Sequence, residues 1–166
     1  VTASNPDGRY GKNDPYPGTI EILVTFNADV TVVGSPVLEL ATGFSYPDGT
    51  QTPNRKAVYT AGSGSPVLTF TYTIDEGDIT GDLDYAGSSA LTPDGSTLRT
   101  STNPSKSAAL ALPAPGSGTS LGGQKAIQID PTTKPTVANV VASVPSGRYG
   151  AGQVIDISSG FSKKMR

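Results

Sequence analysis

Between Leu68 and Ile74 large apolar residues alternate with threonine. Leu68, Phe70, Tyr72 and Ile74 fall on one side, Thr69, Thr71 and Thr73 on the other. Only an extended backbone sorts neighbours onto opposite faces in this way, so the segment predicts a strand with one face in a core. The same alternation sets Ile20, Ile22, Val24 and Phe26 against Thr19, Glu21, Leu23 and Thr25. Shorter markers of strands are Val30/Val32, Leu38/Leu40, Val58, Leu110/Leu112 and Ile127/Ile129. Turn-forming clusters separate them: Gly34-Ser35-Pro36, Pro47-Asp48-Gly49, Gly62-Ser63-Gly64-Ser65-Pro66, Pro93-Asp94-Gly95 and Ala114-Pro115-Gly116. No segment repeats with helical period. Seven or more short strands at this spacing predict an all-β antiparallel sandwich, with Ile20, Ile22, Val24, Leu68, Phe70, Tyr72, Leu110 and Leu112 facing inward.

The chain also repeats itself. Ala3–Gly11 reads ASNPDGRYG and Ala142–Gly150 reads ASVPSGRYG, identical at seven of nine positions with an offset of 139. Ile20-Glu21-Ile22 and Phe26 then align with Ile155-Asp156-Ile157 and Phe161 at an offset of 135, which places a four-residue insertion around Asn13–Pro17 of the first copy. Two landmarks in the same order predict tandem copies of one module. Residues 1–130 form a complete copy, 131–135 (PTTKP) a linker stiffened by two prolines, and 136–166 the first strands of a second, truncated copy. About 30 residues cannot enclose a core alone, so the second copy is expected to pack against a neighbouring copy of the repeat. The chain opens VTASNP without an initiator methionine, and is read as processed or excised from something longer.

The succession GRYG, IEILVTF, VTVVGSPVLEL, AVYTAGSGSPVLTFTYTIDEGD, DLDY, ALTPDG, LPAPGSGTSL and AIQIDPTTKP resembles the cadherin-like or immunoglobulin-like repeats strung through very large secreted or surface proteins. The resemblance covers essentially the whole chain. It implies an Ig-like/cadherin-like β-sandwich in a tandem array, an extracellular location, and a structural or adhesive role in a surface filament or long adhesin stalk. It implies no catalytic residues. Its partners would be neighbouring copies of the same repeat. The alternative is a module that binds glycans or protein through loops at one end of the sandwich.

Composition narrows the chemistry. The 166 residues include no His, Cys or Trp. Histidine-based acid–base catalysis, thiol nucleophiles, disulfides and zinc-thiolate or iron–sulfur sites are therefore excluded. Ser and Thr are abundant but have no His to activate them. The net charge is −2 with scattered basic residues, so nucleic acid is a poor partner. No apolar run approaches the length needed for membrane insertion.

One cluster remains. Asp75, Glu76, Asp78, Asp82 and Asp84 place five of the chain's 14 carboxylates within ten residues, with no Lys or Arg among them. Calcium takes six to eight oxygen ligands, and a turning acidic loop supplies several at short range. A divalent ion would also relieve the mutual repulsion of these carboxylates. The five residues are thus candidate calcium ligands. The spacing fails the EF-hand pattern, and the competing reading is a solvated loop that keeps one end of the sandwich soluble. Paired catalytic carboxylates for glycoside hydrolysis would need a cleft and stacking aromatics, and only Tyr85 is near in sequence.

Other motifs have plainer roles. Gly62-Ser63-Gly64-Ser65 lacks the Gly-Lys-Ser/Thr continuation of a phosphate loop and predicts a hairpin turn. Tyr10 and Tyr149, the repeated GRYG tyrosines, are expected at a sandwich corner with their hydroxyls on backbone, rather than as ligand platforms. Asn103-Pro104-Ser105 has proline where N-glycosylation forbids it. Ser35, Thr52, Ser65 and Thr92 each precede proline, as O-glycosylated or turn positions do.

Overall fold

The computed structural model describes residues 1–12, 18–45, 49, 51–75, 77–130 and 137–161. They belong to two units, Val1–Pro131 and Thr132–Arg166. The first holds β1 (Thr2–Ala3), β2 (Gly8–Tyr10), β3 (Thr19–Val33), β4 (Val37–Leu40), β5 (Arg55–Ala61) and β6 (Ser65–Thr73). It continues with β7 (Leu91–Thr92), β8 (Thr97–Thr100), β9 (Asn103–Ser107), the four-residue helix α1 (Leu121–Gln124) and β10 (Ile127–Ile129). The second unit holds β11 (Val137–Ala142) and β12 (Ile157–Phe161). The protein is all-β, as its threonine-rich alternation requires.

The two long alternating segments pair with each other. Antiparallel β3 and β6 run in register from Thr19↔Thr73 to Thr25↔Val67, which sets Ile22 opposite Phe70 and Ile20 opposite Tyr72. These four side chains are fully buried. Thr69 and Thr71 are only half-buried, so the period-two register is the one expected.

Other expectations need correction. Val30 and Val32 do not form a separate strand; they lie in β3, which bulges between Thr25 and Val30. Burial lapses over Asn27–Asp29 and resumes at Val30, so one extra stretch of backbone bends the strand without ending it. Beyond the bulge β3 pairs with β8 through Val30–Val33. Val58 points outward at 46% exposure while Ala57 is buried. Leu112 is buried and Leu110 packs partly against the core, but their segment is irregular. Pro113 and Pro115 lack the N–H groups that a ladder there would use.

The strand order β7-β4-β5-β6-β3-β8-β9 makes one antiparallel sheet, with β1 added on β3. Its curl follows from connectivity. Strands β7 and β8 lie far apart along this path, yet only Pro93–Ser96 joins them. That turn has Asp94 at φ 48° and Gly95 at φ 81°, and is closed by Ser96 N–H donating to Pro93 O at 2.9 Å. Joining β7 to β8 so tightly forces the sheet to roll around Phe70, Tyr72, Leu38, Leu40, Leu68 and Leu98. The hairpin between β5 and β6 depends on Gly62 at φ 105°, where an added Cβ would collide with Val67 O.

Two short strands close the first unit. β2 and β10 run parallel, with Gly8, Arg9 and Tyr10 opposite Ile127, Gln128 and Ile129. β10 also touches the acidic loop, through Thr80↔Ile129 and Leu83 N–H donating to Ile127 O at 2.8 Å.

Within the second unit, β11 and β12 pair with Ala142↔Ile157 and Val141↔Ser158. The repeat alignment maps these residues onto Ala3↔Ile22 and Thr2↔Leu23, the register of β1 with β3. Ser143 N–H donates to Asp156 O at 2.9 Å, as Ser4 N–H donates to Glu21 O at 3.0 Å. The Tyr149 hydroxyl donates to the Pro145 carbonyl, as Tyr10 donates to Pro6 O at 2.7 Å. Sequence-equivalent residues thus make the same contacts. Tyr10, however, is buried, while Tyr149, Ile155 and Ile157 are exposed.

Candidate functional site

The acidic segment leaves β6 and crosses the unit toward β10. Its alternation puts Leu83 and Tyr85 in the core, leaving Asp82 exposed and Asp84 half-buried beside them. The DLDY pattern signals this, although the segment reads as a loop when only its charges are counted.

The structure sorts the candidate ligands into two groups. Asp78 is 1% exposed, and protein donors occupy both its oxygens. Arg55 Nε donates to Oδ1 at 2.6 Å, while the Tyr72 hydroxyl and Asp75 N–H donate to Oδ2 at 2.9 and 2.8 Å. A buried carboxylate is tolerated only with such charge-assisted bonds. Burial, and then the bond to Asp78, pushes the Tyr72 hydroxyl pKa upward. The bond to Asp78 is also the main reason that the Arg55 pKa is raised. Asp75 is half-exposed, with Lys12 Nζ at 2.7 Å and Arg55 at 3.8 Å. Lys12, Gly18, Thr19, Arg55, Lys56, Thr73, Ile74 and Asp75 line an open basin of about 650 Å³.

Asp82 and Asp84 form the second group. Asp84 Oδ2 accepts from Ser120 Oγ at 2.8 Å and Gly116 N–H at 2.9 Å, and its Oδ1 accepts from Tyr85 N–H at 2.9 Å. Ser120 in turn caps α1, accepting from Gly123 N–H at 3.1 Å. The two carboxylates converge over Gly122: a Cβ there would lie 3.0 Å from Asp84 Oδ2 and 3.3 Å from Asp82 Oδ2. Desolvation, and then the charge of Asp84, raises the Asp82 pKa. Glu76 and the 131–135 linker lie outside the described residues.

Arg55, Tyr72 and Ser120 escape a reading of the loop alone. Each reaches it through the fold, Arg55 from 23 residues and Ser120 from 36 residues away in sequence. Among the described residues no group of three or more acidic side chains is placed to hold a metal ion together. Gly62–Ser65 is a hairpin turn, as expected. No described helix is long and apolar enough to cross a membrane. Neither a family model nor a curated protein nor a solved structure matches the chain.

Proposed function

We propose that the protein is a non-enzymatic structural repeat: an Ig-like/cadherin-like β-sandwich module that works in a tandem array, outside the cell, in a surface filament or adhesin stalk. The observation that carries this reading is the shared register of the two copies. Ala142↔Ile157 repeats Ala3↔Ile22, with the same flanking backbone bond and the same tyrosine–proline bond. Two lone strands with Ile155 and Ile157 in water gain nothing as a separate unit. As the start of another module they gain a core, and the partner is then a neighbouring copy.

A chimera tests the reading. By the offset of 135, Arg166 corresponds to Thr31, so residues 32–131 appended after Arg166 complete the second copy. The expected result is a second cooperative unfolding transition and loss of exposure at Tyr149 and Ile157 by hydrogen exchange. An appended segment that stays unfolded overturns the tandem reading.

Calcium, in this reading, falls beside Asp82, the open member of the Asp82–Asp84 pair, because Arg55, Tyr72 and Asp75 N–H already fill Asp78 and Ser120, Gly116 N–H and Tyr85 N–H already fill Asp84. A calcium-induced rise in melting temperature that Asp82→Asn abolishes places the ion there. An unchanged curve leaves the pair as a solvated edge. A second reading, a glycan- or protein-binding module, is favoured by the open basin beside Asp75. Glycan-array binding that Lys56→Ala removes would support it.

A further inference from the structure

We propose that the parallel β2–β10 pair is a force-bearing clamp that locks the first unit against tension along the chain. The basis is direction. Gly8–Tyr10 lies near the unit's N-terminal end, Ile127–Ile129 near its C-terminal end, and the strands run parallel. Tension on the N-terminal side draws β2 toward its own start. Tension on the C-terminal side draws β10 toward its own finish. Parallel strands drawn in these opposite senses are sheared along their length, so the bonds between them break together. Drawn apart from one end, the same bonds break singly.

The pair is fastened beyond its three-residue ladder. Gly8 N–H donates to Ala126 O at 3.0 Å, and Asp130 N–H to Tyr10 O at 2.9 Å. Ala126 N–H donates to Asp7 Oδ1 at 3.2 Å, Lys125 Nζ to Asn5 O at 2.9 Å, and Arg9 pairs with Asp130 at 3.2 Å. Tyr10, Ile127 and Ile129 are buried at 4%, 0% and 1% exposure. Sliding therefore also drags three large side chains out of the core. Antiparallel β1 offers only two paired residues before β2 takes the load.

The clamp goes beyond the tandem reading: it is a property of residues 1–131, whereas its use in an array depends on that reading, which the chimera tests separately. Single-molecule force spectroscopy on the full 166-residue chain tests the clamp. The chain has no cysteine, so handles can be placed at will. One geometry pulls the two chain ends. The other pulls the N-terminus against a handle at Ala126→Cys, an exposed position just before β10, and so unzips the pair from one end. β1 lies in the path both times, so its contribution cancels. Forced rupture reads the unfolding barrier in each direction. The expected result is a distinctly higher rupture force end to end. Arg9→Ala should lower that force and leave the unzipping force unchanged, because unzipping starts from the opposite end of the pair. Equal forces in the two directions, or any other response to Arg9→Ala, overturn the clamp.

Discussion

Asp78 is a small residue with a large structural share. Its carboxylate ties β5, through Arg55, to β6, through Tyr72, and turns the chain by accepting from Asp75 N–H. Its removal would leave the buried Tyr72 hydroxyl without this acceptor, at about 1–3 kcal/mol, while Arg55, a third exposed, keeps Asp75 at 3.8 Å. Asp78→Ala should lose about that much in denaturant unfolding, while Tyr72→Phe should lose about 1.5–3 kcal/mol, the range for a hydrogen bond to a charge. Alkaline pH should show the same bond. The Tyr72 pKa is raised in the folded state above its ordinary 10.0, so the neutral phenol favours the fold. That stability is full below pH 10 and falls as the pH rises beyond it. The melting temperature should drop there, less steeply in Tyr72→Phe. Asp82 has the same sign in another window. Its pKa is raised above 3.8, so its contribution is full below that pH and lost as the pH rises. Asp82→Asn should raise the melting temperature at pH 7 and leave it unchanged in strong acid.

At the scale of elements, the β3–β6 pair shows how far the sequence speaks. Phe70 is fully buried against Ile22, and Tyr59 meets its ring edge-on at 5.9 Å. Phe70→Ala should cost about 3–5 kcal/mol through the cavity left behind. Gly62→Ala should disable the β5–β6 hairpin, because its Cβ collides with Val67 O, whereas Gly64→Asn should cost far less, meeting open space and only the strain of φ 84°. Both outcomes are readable by thermal melts. The strand alternation and the Gly62 turn are legible because they are local. The single bent β3 is not, since its bulge depends on β8 taking up pairing where β6 leaves off. Val58 misleads because strand propensity says nothing about which face is buried, and Ala57 fills the core side. In the acidic loop, the charges could be read from the sequence. The partners that divide them into two groups arrive from distant strands.

Over the whole molecule, the two units treat their edges differently. The outer strand β9 is exposed along its length and carries Pro104 and Lys106, which discourage pairing with another chain. β12 pairs only with β11 among the described residues, and Ile157–Phe161 holds neither proline nor charge. The full chain should therefore self-associate as concentration rises, and a chain truncated after Pro131 should remain monomeric in sedimentation.

The pairing of β2 with β10 also sets a clock. It joins residues near position 8 to residues near position 128, so nearly the whole unit must be present before its last seam can close. Contacts of such long range slow folding. In the proposed tandem array the opening strands of a module must wait during synthesis, and β11 and β12 emerge with the very register that β1 and β3 use. A slow module beside a look-alike neighbour invites the exchange of strands between copies. Divergence such as Asn5 against Val144 and Asp7 against Ser146 then has a kinetic use. Asn5 seals its own β3 by accepting from Glu21 N–H at 2.8 Å and donating to Thr19 O at 3.1 Å, bonds that a valine side chain has no polar atoms to make.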